Sequence, residues 1–111
     1  MLVDSGLFQT IYVGSDLDRK IERVFCCDLL SVAMGKAPFG CAWVTVMGNM
    51  NTLAVATLAD AACIILAEAS VLDEAAMNKA KEQDITVFKT DQPVFESALQ
   101  VYHLLHDTPD I

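Results

Sequence analysis

The chain has 111 residues, 54% of them hydrophobic and 20% charged, which excludes a disordered or charge-driven polypeptide and fits about one domain. Fifteen acidic against seven basic residues leave a formal charge of −8, and no Lys or Arg lies between Lys36 and Lys79. That balance argues against nucleic-acid backbones and anionic membrane surfaces as partners, and the apolar excess points to self-association as a homodimer.

Gln9 to Val13 and Ile21 to Cys26 read as two short strands, joined by the polar turn Gly14-Ser15-Asp16-Leu17-Asp18 as an antiparallel pair. Asp28 offers an N-cap to a short helix, Leu29 to Met34, that should stop at Gly35, ahead of Pro38 and the Phe39-Gly40 turn. From Cys41 onward the pattern is regular. Strand Ala42 to Val46 leads to a helix from about Asn51 to Ala59, then strand Ala62 to Leu66, helix Asp73 to Gln83, strand Ile85 to Phe88 and helix Gln92 to His106.

Alternating βα units of this length predict a three-layer α/β/α fold over residues 1–111, with a mostly parallel, mixed sheet of about four to six strands. Asp73 and Glu74 begin one helix and Lys79 and Lys81 approach its end, matching the macrodipole; Asp91 caps the last helix and Pro93 fits its first turn. Val94, Phe95, Ala98, Leu99, Tyr102 and Leu105 recur at helical spacing as a stripe expected to face the sheet. The helix through Thr52 to Leu58 is apolar nearly all round, which predicts burial against both the sheet and a second subunit. The tail His106 to Ile111 is expected to fray.

No basic stretch precedes an apolar run at the N-terminus, and the greasiest segment, Thr52 to Ala67, carries Asp60 in its middle. A cytoplasmic protein without a signal peptide or membrane span is expected. Cys26, Cys27, Cys41 and Cys63 sit in apolar runs without C-x-x-C spacing and read as reduced, buried thiols. His103 and His106, one turn apart, are better explained as complements of a helix C-terminus than as metal ligands, and no metal or cofactor is expected.

Open parallel sheets place ligands at the carboxyl ends of their strands. Three segments should converge there: the loop Gly48-Asn49-Met50-Asn51-Thr52, then Glu68, then Thr90-Asp91. The first leads into a helix N-terminus that could hold an anion, with Asn51 as N-cap the plainer reading; it lacks the Gly-Lys-Ser/Thr ending of a phosphate loop. Glu68 and Asp91 are candidates for a carboxylate pair, as against a solvated strand end and a helix cap. Trp43 and Phe88 fit core packing better than stacking on a base.

The run Ala42-Trp43-Val44-Thr45-Val46-Met47-Gly48-Asn49-Met50-Asn51-Thr52-Leu53-Ala54-Val55-Ala56, with Ala62-Cys63-Ile64-Ile65-Leu66-Ala67-Glu68 and the upstream Asp28-Leu29-Leu30-Ser31-Val32, resembles the DRTGG domain family. The resemblance extends from about Gly6 to Leu105. It implies a fold similar to the N-terminal domain of HPr kinase/phosphorylase and a dimerising regulatory module, in some settings near adenine-nucleotide sites. Gly48-Asn49-Met50-Asn51-Thr52 and Ala67-Glu68-Ala69 replace the motifs that name the family, so its Asp and Arg have no counterpart here.

The expected function is therefore non-catalytic: a homodimeric regulatory, ligand-sensing or protein-interaction module, with Gly48, Asn49, Met50, Asn51, Thr52, Glu68, Thr90 and Asp91 lining a cleft for an adenine nucleotide or similar small ligand. The alternatives are a small hydrolase or transferase using Glu68 and Asp91, or a structural subunit docking on a partner enzyme through the Thr52 to Leu58 face or the last helix.

Overall fold

The computed structural model describes residues 2–16 and 19–106. Its elements are α1 (Leu2–Ser5), β1 (Gln9–Tyr12), β2 (Arg23–Cys26), α2 (Leu30–Lys36), β3 (Cys41–Thr45), α3 (Met50–Ala59), β4 (Cys63–Leu66), α4 (Glu74–Gln83), β5 (Thr86–Lys89) and α5 (Val94–Leu105). The five strands form one mixed sheet in the order β1-β5-β4-β3-β2, with β2 to β5 parallel and β1 antiparallel to β5.

The chain steps from β2 to β3 to β4 to β5 in one direction across the sheet. Right-handed crossovers then place α2, α3 and α4 on one face. There Ala33, Leu53, Val55, Ala56, Ala76 and Ala80 meet the strand residues Cys41, Trp43, Ile64, Leu66 and Val87. The alternate strand residues, Ala42, Val44, Cys63, Ile65 and Phe88, point to the other face and are covered by Leu2, Phe8 and Val101. The fold is thus the expected three-layer α/β/α arrangement. Its two helical layers are unequal: three crossover helices lie on one side, α5 and the one-turn α1 on the other.

Three local expectations fail. The first two strands are not a hairpin, because β1 lies at one edge beside β5 and β2 at the opposite edge beside β3. Residues 13–16 and 19–22 lie along the amino ends of the parallel strands; Leu17 and Asp18 of the expected turn lie outside the described residues. Asp28 does not cap α2, whose N-cap is Leu29 with no side-chain cap, and Gly35 lies inside the helix. The Asp28 carboxylate instead accepts from Thr45 Oγ1 at 2.7 Å and Val46 N–H at 2.9 Å, tying the end of β2 to the end of β3. Asp91 does not cap α5, where Pro93 holds the N-cap position without a side-chain bond.

The stripe on α5 is also rotated from expectation. Val94, Ala98, Leu105 and the buried Val101 pack on the sheet, together with the buried Ser97, whose hydroxyl donates to Pro93 C=O at 2.8 Å. Phe95, Leu99 and Tyr102 face outward. The helix is apolar on two adjacent faces, and sequence spacing alone does not say which one the sheet takes. For the same reason only half of α3 behaves as foreseen: Leu53, Val55 and Ala56 are buried while Leu58 is 78% exposed. The expected fraying concerns residues that, after His106, lie outside those described.

Ser15 and Arg19 are pinned by the left-handed C-caps of two helices. Asp84, at φ 59°, closes α4, and its carboxylate accepts from Tyr12 Oη at 3.1 Å, from Ser15 N–H at 3.0 Å and from the Ser15 hydroxyl. Asp60, at φ 57°, closes α3 and accepts from Arg19 Nη1 at 3.2 Å, while its carbonyl accepts from Arg19 Nη2 at 2.6 Å. Gly14 passes so close to the α4 cap that a Cβ there would lie 2.7 Å from Asp84 O.

The Ser15 hydroxyl, then the Ser15 N–H and Tyr12, hold the Asp84 carboxyl below its ordinary value of 3.8. Because the folded value is depressed, this contribution to stability is present above pH about 4 and is lost as pH falls through the folded value. Asp84→Asn should therefore lose less stability than the wild type between neutral pH and pH about 3. Urea midpoints of the two proteins at both pH values check this; equal losses would mean the carboxylate bonds do not act in solution.

Candidate functional site

At the carboxyl edge of the sheet the Glu68 and Thr90 segments are joined through their backbones, while the Gly48 loop bonds to Asp73 in the β4–α4 connection. Ala67 N–H donates to Thr45 C=O, Thr90 N–H to Leu66 C=O, Ala69 N–H to Thr90 C=O at 2.9 Å and Glu68 N–H to Gln92 C=O at 2.8 Å. Glu68 and Ala69 reach this geometry through consecutive left-handed conformations, φ 60° and 58°, at a cost of about 1 kcal/mol or more each. Their backbones are joined to the 90–92 loop, while the Glu68 and Asp91 side chains are solvent-exposed. No side-chain hydrogen bond or ion pair links the two carboxylates among the described residues.

The Gly48 to Thr52 loop spends its polar groups on itself. Asn49, rather than Asn51, is the N-cap of α3, and its side-chain oxygen accepts from Thr52 N–H at 3.1 Å and Thr52 Oγ1 at 3.4 Å. Thr52 is fully buried; Met50 and Asn51 are exposed on the first turn. Gly48 C=O accepts from Asp73 N–H at 3.0 Å, and the β4–α4 connection covers Gly48 so closely that a Cβ would lie 2.1 Å from Val71 O. Thr90 Oγ1 accepts from Gln92 N–H at 3.2 Å. Among the expected site residues, the N–H groups of Thr52, Glu68 and Thr90 are committed to hydrogen bonds.

A cavity lies at the other end of the sheet. It occupies about 650 Å³ where α5 and the single turn of α1 leave the face over the amino ends of β4 and β5 thinly covered. Its apolar walls include Leu2, Ile21, Phe88 and Leu105, and charged side chains of both signs, Asp16, Arg19, Lys20 and Glu22, join the lining. Arg19 is held by Asp60 and also sits 5.2 Å over the Phe39 ring. Sequence reasoning missed this site because residues 14–18 carry the composition of a tight turn; the one available signal was the basic cluster Arg19, Lys20 and Arg23 in an otherwise acidic chain.

The described cysteines are free. Cys41 and Cys63 are buried, and loss of hydration pushes their thiols up to about 11 and about 12. Cys26, contrary to expectation, reaches the surface on edge strand β2, although partial desolvation of its sulfur and then the Asp28 charge still raise its pKa. Thiolate chemistry near neutral pH is thereby disfavoured at these three positions. Among the described residues no group of three or more His, Cys, Asp or Glu side chains could hold a metal ion. His106 is stacked on Tyr102 with ring centroids 4.2 Å apart, and its Nδ1 lies 3.0 Å from Tyr102 O. Trp43 and Phe88 are both core residues on opposite faces of the sheet.

The chain matches no protein-family model, and no curated protein matches it.

Two measurements test this geometry. Gly48→Ala should destabilise the fold by roughly 1–3 kcal/mol, since backbone must shift to admit the methyl group, and chemical denaturation would read it; an unchanged midpoint would mean the Val71 loop does not close over Gly48. In thiol labelling of the native protein at pH about 8, Cys26 should react ahead of Cys41 and Cys63, which should stay protected until unfolding. Early modification of Cys63, located by mass spectrometry, would contradict its burial.

Proposed function

We propose that this chain is a non-catalytic binding module that works as a homodimer and responds to a small ligand held in the cavity between α1, α5 and residues 13–22. The observation that carries the reading is the cavity itself. Its volume of about 650 Å³ falls within the range of about 300–1,000 Å³ usual for small-molecule sites, and an apolar floor with a few charged groups at the rim is their usual lining. The ligand class that fits is a molecule with an apolar body and a charged or zwitterionic head: the body against Leu2, Phe88 and Leu105, the head near Lys20, Asp16 and Glu22.

The DRTGG-like sequence pattern supports the regulatory part of this reading, and the exposed apolar side chains of α5 support self-association. A nucleotide at the carboxyl edge would have to displace Asn49 from Thr52 or bind without the α3 N-terminus, so the proposal places the ligand at the amino edge. Regulation would follow from population shift. The last turn of α5 supplies Leu104, Leu105 and His106 to the cavity, and a ligand that favours one setting of that turn favours whatever α5 binds in it.

Thermal unfolding against a medium-chain carboxylate, an alkylamine, an aromatic amino acid and the adenine nucleotides tests this. One of the first three should raise the melting temperature saturably, by the equivalent of about 2.7 kcal/mol at 100 times its Kd. Val3→Trp, which fills the cavity from α1, should abolish that response while leaving the far-ultraviolet circular dichroism unchanged. A nucleotide response that survives Val3→Trp and disappears in Asn49→Ala would move the site to the carboxyl edge. A flat response to every probe would remove the ligand-sensing part of the proposal.

A further inference from the structure

The outer face of α5 carries an apolar row at a spacing of four and then three residues: Phe95, 68% exposed, Leu99, 37% exposed, and Tyr102, 51% exposed. An i, i+4, i+7 row lies along one side of a helix, and a helix that has already buried Val94, Ala98, Val101 and Leu105 gains nothing inside its own fold from a second apolar side. Tyr102 is also held in place, since His106 stacks on its ring. A fixed aromatic loses little freedom on docking and is a typical anchor at a protein interface.

The charges beside this row specify the occupant. Glu96 and His103 are both exposed, and their seven-residue separation puts them on the same flank of the row, on either side of Leu99. When two identical helices pack antiparallel about a two-fold axis, each flank meets the same flank of its partner in reverse order. With the axis passing beside Leu99, Leu99 meets its own copy and Phe95 packs against the partner's Tyr102. Glu96 then faces the partner's His103, and symmetry makes that pair twice. A parallel arrangement would set this flank against the opposite flank of the partner helix, and Glu96 would not meet His103.

We infer that a second copy of this chain docks antiparallel on the outer face of α5, with Phe95, Leu99 and Tyr102 as the apolar centre and Glu96 paired with His103 across the two-fold. This rests on the homodimer proposed above and specifies its interface. It differs from the expectation that placed the contact on α3, whose Leu58 is equally open to solvent.

Sedimentation equilibrium of the full chain, with circular dichroism and thermal melts as fold controls, separates the readings. Leu99→Glu sets two like charges face to face at the axis and should weaken the dimer at least about 100-fold. His103→Glu sets Glu96 against a carboxylate at both symmetric positions and should weaken it about 10-fold, and Glu96→Lys added to His103→Glu should restore the lost affinity. Leu58→Glu on α3 should leave dimerisation unchanged. A wild-type dimer indifferent to Leu99→Glu, or one broken by Leu58→Glu, overturns the α5 interface while the homodimer stands. A double variant that fails to recover overturns the antiparallel pairing. A wild-type chain that is monomeric at high concentration overturns the homodimer itself.

Discussion

The structure depends on how residues 13–16 and 19–22 are anchored at the amino ends of the strands. The chain enters the sheet at one edge, in β1, and must resume at the other edge, in β2, before its regular βα units begin. A connection of that length has little hydrophobic material of its own, so its position has to come from polar anchors. Two helix ends supply them. Asp84 and Asp60 adopt left-handed cap conformations that glycine would take more cheaply, and each uses its carboxylate to hold a residue of the crossing segment, Ser15 at the end of α4 and Arg19 at the end of α3. The strain of a non-glycine cap is thereby exchanged for a fixed path. The same path walls the cavity, since Val13, Asp16, Arg19, Lys20, Ile21 and Glu22 line it.

This dependence explains what was legible in the sequence. From Cys41 to Leu105 the elements follow from local rules: apolar strands of four or five residues, Asp73 as a true N-cap with its carboxylate on Ala76 N–H, and helices of ten to twelve residues between them. Once the alternation is read, the handedness of crossovers fixes the layers. Before Cys41 the outcome turns on long-range polar contacts, Ser15 to Asp84 and Arg19 to Asp60, between residues far apart in sequence. Nothing local distinguishes such a segment from a hairpin turn. Asp28 shows the same limit, because its carboxylate goes to Thr45 and Val46 on the neighbouring strand instead of to the helix it precedes.

At the carboxyl edge the strand topology pointed to strand-end loops, and the backbones of those loops bond to their neighbours. Thr45 C=O accepts from Ala67 N–H, Glu68 N–H donates to Gln92 C=O, Thr90 C=O accepts from Ala69 N–H and Gly48 C=O accepts from Asp73 N–H, while Asn49 accepts from Thr52 N–H at the α3 N-terminus. A short parallel sheet of four-residue strands has few ladder bonds, so these loop-to-loop bonds continue the sheet beyond its formal ends. These bonds serve cohesion at the carboxyl edge, whereas the thinly covered amino edge carries the cavity.

The unequal helical layers connect that cavity to the outer face of α5. Three consecutive crossovers in one direction commit three helices to one face, and the opposite face is left with α5 over β2 and β3 and a single turn, α1, toward β5. A cavity arises at the gap between them, lined in part by Leu2, Phe88 and Leu105. Because α5 alone spans most of this face, its outer side is solvent-exposed by default, and its apolar residues there are either a cost or an interface. The absence of Lys and Arg from α5 makes the second role coherent. Long flexible cations on a helix surface raise solubility at the expense of close packing, whereas Phe95, Leu99 and Tyr102 flanked by one carboxylate and one imidazole suit a self-complementary contact. The last turn of α5 then borders the cavity on one side and continues the proposed contact on the other through His106 stacked on Tyr102. Under the proposed reading, a ligand that displaces His106 would disturb its stack on Tyr102, and that stack would be the route by which the α5 contact responds to the cavity.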